Sequence, residues 1–364
     1  MAENIESVFE KQKPAADKQS ENQPSYPFLV YESREELGRL EEILGCLRQS
    51  KTGRQLIADA EKHQTAIRLD SGMRAYGSYD EVTNNLKINA GSDLNRQVGT
   101  MAHELRHAQQ FQKGILMDAY LDTPKSYIQN QSVIEADASA TAAAVCYELA
   151  LAGNDKPLES LREKDAHIVN PFQNQAVKGG LADGSAYRAA FKGWFTDYST
   201  RDCYDILYIK MVRQRFKNCT REEENKKFER EVPVGGVVQK VCVCDGKPYL
   251  SEKETKEFFN TQDACSVSFE RFNNIYGNCC MKFNFDWNKP QEEVMQERLG
   301  LYSRPHSGYM PAKVVPEVLP IPDIAARQAE AAEKIAAVKK EKKIENAVKA
   351  PLPAVLKKKV GLEK

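Results

Sequence analysis

Apolar positions along the chain fall into stretches of helical spacing broken by short extended runs. Leu37, Leu40, Ile43 and Leu44 share one helix face within residues 34–49, and Leu56, Ile57 and Ala60 do so within 52–63. Three short extended pieces follow at 66–69, 73–79 and 82–89. The pairs Asp80-Glu81 and Asn84-Asn85 carry turn chemistry, so the last two pieces read as a hairpin. Ser92-Asp93 can cap the next helix, whose apolar side is Leu94, Val98, Met101, Ala102, Leu105 and Ala108 and which ends near Gly114. A loop containing Pro124 leads to an alanine-rich helix over 132–151, closed by Gly153. Residues 185–197 form another helix, with Trp194 and Phe195 read as core. From 200 onward the pattern changes: a helix near 204–213, a hairpin at Asp245-Gly246, then Pro-rich and Lys/Ala-rich sequence beyond Pro305.

Composition narrows the function classes. The 364 residues can bury a sizeable core, and 52 basic residues balance 52 acidic ones. Such a balance gives no reason to expect a nucleic-acid or anionic-membrane partner. No apolar run approaches the roughly 18 residues that span a bilayer, and the polar N-terminus lacks a secretory pattern, so the expected compartment is the cytoplasm. Nine cysteines are present, six of them late: Cys219, Cys242, Cys244, Cys265, Cys279 and Cys280. Thiols, disulfides and a second zinc site all remain open for this group, though Cys242-x-Cys244 is not the usual Cys-x-x-Cys knuckle.

The chemistry concentrates in His103-Glu104-Leu105-Arg106-His107. Histidines four apart on a helix face the same way, so both imidazoles can bond one tetrahedral zinc. The glutamate after the first histidine then lies beside the attacking water, where it can take a proton and later return it to a leaving group. Gly99, one turn earlier on that face, leaves room beside the site. A catalytic zinc needs a third protein ligand. Glu135, in Val133-Ile134-Glu135-Ala136-Asp137-Ala138, is the first candidate, because the small residues around it allow the alanine-rich helix close to the motif helix. Asp137 is its rival, either as ligand or as acceptor for a histidine N–H. Tyr120, Tyr127 and His167 are candidates by residue type for stabilising an oxyanion.

A short sheet, a helix bearing His-Glu-x-x-His and a helix bearing Glu-Ala-Asp-Ala resemble the glutamate-type zincin metallopeptidases, and among them the small bacterial metallopeptidase domains of unknown function. The resemblance spans about residues 50–200 and rests on His103, Glu104, His107 and Glu135. It departs from the best-known pattern in one place: the ligand glutamate often lies four residues before the aspartate of Ala-Asp, where this chain has Val133. The resemblance implies an edge strand that binds an extended peptide, a role open to 73–79.

The expected fold is therefore α+β: a zincin-like domain whose small sheet packs on the motif helix and the alanine-rich helix, with an appended cysteine-containing region. The expected organisation is a disordered segment at 1–25, the metallopeptidase domain at 26–200, the appended region at 201–300 and a tail at 301–364. The expected function is zinc-dependent hydrolysis of peptide or protein substrates, with Zn2+ on His103, His107 and Glu135 and with Glu104 as general base and then acid. The competing expectation is a zinc-binding regulatory or interaction module without general peptidase activity.

Overall fold

The computed structural model describes residues 28–321 apart from 116, 120, 218–229, 262, 281–285, 287 and 305–314. The expected disordered segment at 1–25 and the Lys/Ala-rich part of the tail lie outside the described residues.

Three caps set the first helices. Ser33, Ser50 and Asp93 each accept the backbone N–H three residues on, opening α1 (Arg34–Leu47), α2 (Lys51–Lys62) and α3 (Leu94–Gln112). Between α2 and α3 lie β1 (Ala66–Asp70), β2 (Gly77–Asp80) and β3 (Asn85–Asn89). Their order is β1-β3-β2, with β1 parallel and β2 antiparallel to β3, so β2 is an edge strand. The 73–79 stretch is strand only from Gly77, and 82–84 belong to the turn, where Asp80 accepts the N–H of Val82 and Thr83. Ile67, Leu86 and Ile88 are buried against α1, α2 and α3.

The alanine-rich helix is longer than expected. α4 runs Pro124–Leu151, with Thr123 as its cap and Pro124 in the first turn, where a missing N–H leaves no helical bond unmade. Glu135 thus sits mid-helix instead of opening it. Two apolar cores lie on either side of α4. Ala142, Val145 and Leu149 join the sheet-side core, while Val133, Ala136, Ala140, Ala143 and Tyr147 join the second. A helix buried all round needs small residues wherever neighbours approach closely.

α5 (Lys156–Ala176) was not legible in the apolar spacing. It has Pro157 in its first turn, a kink at Asp165 (φ −119°, ψ 40°) and Pro171 inside. α6 (Ser185–Thr196) and α7 (Tyr198–Lys217) follow. The expected boundary at residue 200 falls inside α7. α8 (Val234–Val241), the hairpin β4–β5 (Val243–Cys244, Lys247–Pro248) and α9 (Glu252–Phe259) then pack into the core formed by α4, α5 and α6, through Val237, Val238, Val241, Tyr249 and Phe259. Asp245 (φ 49°) and Gly246 (φ 76°) form the expected tight turn. A third core joins α7, α10 (Phe269–Cys280) and α11 (Gln291–Leu299), beside the parallel pair β6 (Ser266–Ser268) and β7 (Tyr302–Arg304).

The fold is α+β. No described helix is long and apolar enough to cross a membrane. Cys46, Cys146, Cys203, Cys242, Cys244 and Cys265 are free thiols, and no cysteine joins a metal-competent group among the described residues.

Candidate metal centre

α3 and α4 bring three donors to one point. His103 Nε2 lies 2.9 Å from His107 Nε2 and 3.2 Å from Glu135 Oε2, and His107 Nε2 lies 3.5 Å from the same oxygen. Donors bonded to one tetrahedral zinc at about 2.0–2.2 Å sit roughly 3.3–3.6 Å from each other. The three donors therefore have the right kinds of atom and nearly the right separations for such an ion. Among the described residues this is the one group of three or more His, Cys, Asp or Glu side chains so arranged.

The electrostatics favour positive charge there. Burial works against a charged His107, but Glu135 outweighs it and raises the imidazole to about 9. Burial also pushes the Glu135 carboxyl up, and the two histidines reverse this and hold it below the usual carboxylate range.

The tautomer of His107 follows from its neighbour. Gln110 Nε2 donates to Ile134 O (3.0 Å) and to Asp137 Oδ2 (2.7 Å), so its Oε1 is the acceptor facing His107 Nδ1 at 2.9 Å. Nδ1 therefore carries a proton, and Nε2 points at His103 and Glu135. Asp137 lies outside the three-donor group. Its oxygens are taken by Arg106 Nε (2.7 Å) and NH2 (3.1 Å), by Gln110 and by Tyr249 Oη (2.8 Å). It reaches a histidine only through Gln110. Arg106 also donates to Val241 O at 2.7 Å, which ties the motif helix to the α8–β4 segment.

Glu104 is almost fully buried beside the donors. Burial pushes its carboxyl up, against the pull of His103 and His107, and Glu135 adds to the rise. It accepts a backbone N–H from Tyr79 of β2. The Asn89 N–H donates to Tyr76 O on the β3 side. Backbone groups alternate along an antiparallel pair, so Gly77 and Tyr79 turn theirs to the open edge. That edge passes directly over the site: a Cβ on Gly77 would fall 2.8 Å from Glu104 Cγ.

The hydroxyl missed in the sequence is Tyr204 of α7. It donates to Glu135 and lines one cavity with His103 and Glu104. Trp194 (5.6 Å) and Tyr208 (6.0 Å) hold its ring. Of the earlier candidates, Tyr127 is buried in the third core against Tyr208, His167 is buried beside Asp197, and Tyr120 lies outside the described residues.

Residues 18–250 match the model of the Putative metallopeptidase family (DUF6782). The chain belongs to this family. No curated protein and no solved structure matches it. The family match contains all three donors, Glu104, Tyr204 and Tyr249, and ends just after the β4–β5 hairpin that Arg106 and Asp137 tie to the site.

Proposed function

We propose that this member of the family is a zinc-dependent peptidase in which His103, His107 and Glu135 hold the ion and Glu104 moves the proton. The observation that carries the reading is the convergence of three donor atoms beneath the open edge of β2, with a buried carboxylate between them and that edge. A zinc ion there supplies Lewis acidity, polarising a carbonyl and making water easier to deprotonate.

The chain's own groups do the rest. The outward backbone groups of Gly77 and the carbonyl of Tyr79, whose N–H donates to Glu104, pair with an extended peptide, so the substrate becomes a fourth strand and its scissile carbonyl is fixed over the site. Glu104 accepts the proton of the attacking water and delivers it to the departing amine. Its raised pKa suits a group that must both take and give a proton. Tyr204 Oη, within the same cavity, turns its one O–H from Glu135 to the developing oxyanion. We take the catalytic unit to run through the β4–β5 hairpin, because Tyr249 and the carbonyl of Val241 complete the network behind His107.

Glu104→Gln tests the reading. The variant keeps the shape and the three donors, so it binds one zinc per chain as the wild type does. Cleavage of a peptide library falls at least about a hundredfold, the scale of general acid–base catalysis. Equal cleavage by wild type and variant, or none by either with zinc bound, overturns the peptidase reading.

A further inference from the structure

The two ends of the β2 edge differ in charge. At the Gly77 end a cavity of about 290 Å³ opens beside His103 and Glu104. Two cations stand in its wall on one aromatic ring: the Arg96 guanidinium lies 5.3 Å, and Lys164 Nζ 4.9 Å, from the centre of Tyr76. Among the described residues neither side chain forms an ion pair or hydrogen bond with a protein group. At the other end a cavity of about 380 Å³ is lined by Val82, Phe111, Ile115 and Ile134, with Glu81 as its outer charge.

Two cations on one ring make this end of the edge positive, and an anion entering the cavity is attracted to both. Asp165 lies in the same cavity, but it pairs with neither cation within ion-pair distance. It feels the charge of Lys164 and, less strongly, of His103 and Arg96, and it acts on Tyr204. One carboxylate balances one of the two cations at most, so a positive charge is left for a group from outside.

The direction of the bound peptide decides which group that is. Pairing antiparallel to β2, the more stable mode, runs the peptide from the Asp80 end to the Gly77 end. The residues after the cleaved bond then enter the cavity of Arg96 and Lys164, and those before it meet the apolar cavity and Glu81. The reverse direction would set the C-terminal side against Glu81. Tyr76 lies one to three residues from the stretch over Glu104, which at about 3.3 Å per residue is a short step along the strand.

We propose, resting on the peptidase reading above, that Arg96 and Lys164 hold a substrate carboxylate one or two residues C-terminal to the cleaved bond. Two sources share this chemistry: the free C-terminus of a short peptide, and an Asp or Glu side chain within a longer one. Arg presents a fork of donors and Lys a point charge, a combination suited to a single carboxylate.

The test uses the zinc-loaded full chain carrying Glu104→Gln, so that binding is read without turnover. The probes are an N-terminally labelled random pentapeptide pool made as free acid, the same pool as C-terminal amide, and an amide pool with Glu fixed at the fourth position. The free acid binds roughly tenfold tighter than the amide, and the difference shrinks as salt is raised. Recovery of affinity in the Glu pool assigns the side chain as a source; no recovery assigns the C-terminus. Adding Arg96→Gln and Lys164→Gln removes the preference, with circular dichroism reporting that the variant is folded. Equal binding of acid and amide by the parent protein overturns the inference without any further variant, as does a preference that survives the double substitution. Wild-type turnover separates the two readings. Cleavage with equal kcat/KM for acid and amide pools leaves the peptidase and removes the carboxylate site. A binding preference without cleavage leaves the carboxylate site and removes the peptidase.

Discussion

The Oε1 of Gln110 accepts from Nδ1 of His107 at 2.9 Å, and the amide that offers this oxygen is locked by its own two donations to Ile134 O and Asp137 Oδ2. The lock fixes which nitrogen of His107 faces His103 and Glu135. Gln110→Leu removes the acceptor but keeps much of the volume. Zinc affinity should fall roughly 10- to 100-fold, the usual effect of losing a partner behind a ligating histidine. Competition against a chelating dye reads this directly, and an unchanged affinity would mean that His107 is oriented by packing alone.

Gly77 shows how closely β2 lies on the site. A methyl group there would come 2.5 Å from Thr100 Cγ2, 2.8 Å from Glu104 Cγ and 2.9 Å from its Oε1. Glu104 can move aside, so Gly77→Ala should fold and bind zinc normally. Its cleavage rate should drop by roughly a hundredfold, the cost of misplacing a reacting group by about an ångström. Metal content beside kcat/KM checks it, and loss of both together would place the glycine in the fold instead of the chemistry.

Much of this site was legible in the sequence because its signals are local. The cap at Asp93, the four-residue interval between His103 and His107, and the Asp245-Gly246 turn each depend on neighbours a few residues away. Gln110, three residues after His107, was readable on the same principle. The missing parts depend on distant chain. Tyr204 meets Glu135 only because α7 folds back over α4, and nothing in its own segment marks it. Asp137, the rival to Glu135 in the sequence, has its oxygens on Arg106 and Tyr249, and both partners come from positions that its own segment does not mark. α5 was hidden by two prolines and a kink that break its apolar period, and α4 by a Pro124 that begins the helix where a loop was expected.

The pair of Arg106 and Asp137 is fully buried, with Tyr249 and Gln110 completing the carboxylate's bonds. Arg106→Met leaves that charge buried without its main partner. Stability should fall by about 3–5 kcal/mol. Tyr249→Phe removes one hydrogen bond to a charged acceptor, which costs about 1.5–3 kcal/mol. Urea denaturation of the metal-free variants measures both without the contribution of bound ion. Replacing Asp137 by Leu as well as Arg106 by Met should recover part of the loss, because the stranded charge is gone; a double variant weaker than Arg106→Met would refute this account of the pair.

Residues 315–321 lie as an extended strap along α5, held by side chains that bond its backbone. Asn170 Nδ2 donates to Pro316 O (2.9 Å), Gln173 Nε2 to Leu319 O (2.6 Å) and Asn174 Nδ2 to Glu317 O (2.8 Å), while the Leu319 N–H donates to Asn174 Oδ1 (2.7 Å). Arg162 reaches across the kink at Asp165 to Asn170 Oδ1 (3.2 Å) and Gln173 Oε1 (2.6 Å), which turns both amide nitrogens toward the strap. Asn174 alone clasps the strap by donating and accepting. Asn174→Ala removes two solvent-exposed hydrogen bonds, each contributing about 0.5–1.5 kcal/mol, and these hold the strap far more than they hold the fold. The melting temperature should therefore stay within a few degrees, while limited proteolysis cuts the strap several-fold faster because its opening is local. Cleavage sites mapped by mass spectrometry decide the matter. A strap cut no faster than in wild type would mean that Ile321, packed into the core of α4–α6, anchors the segment without the asparagine.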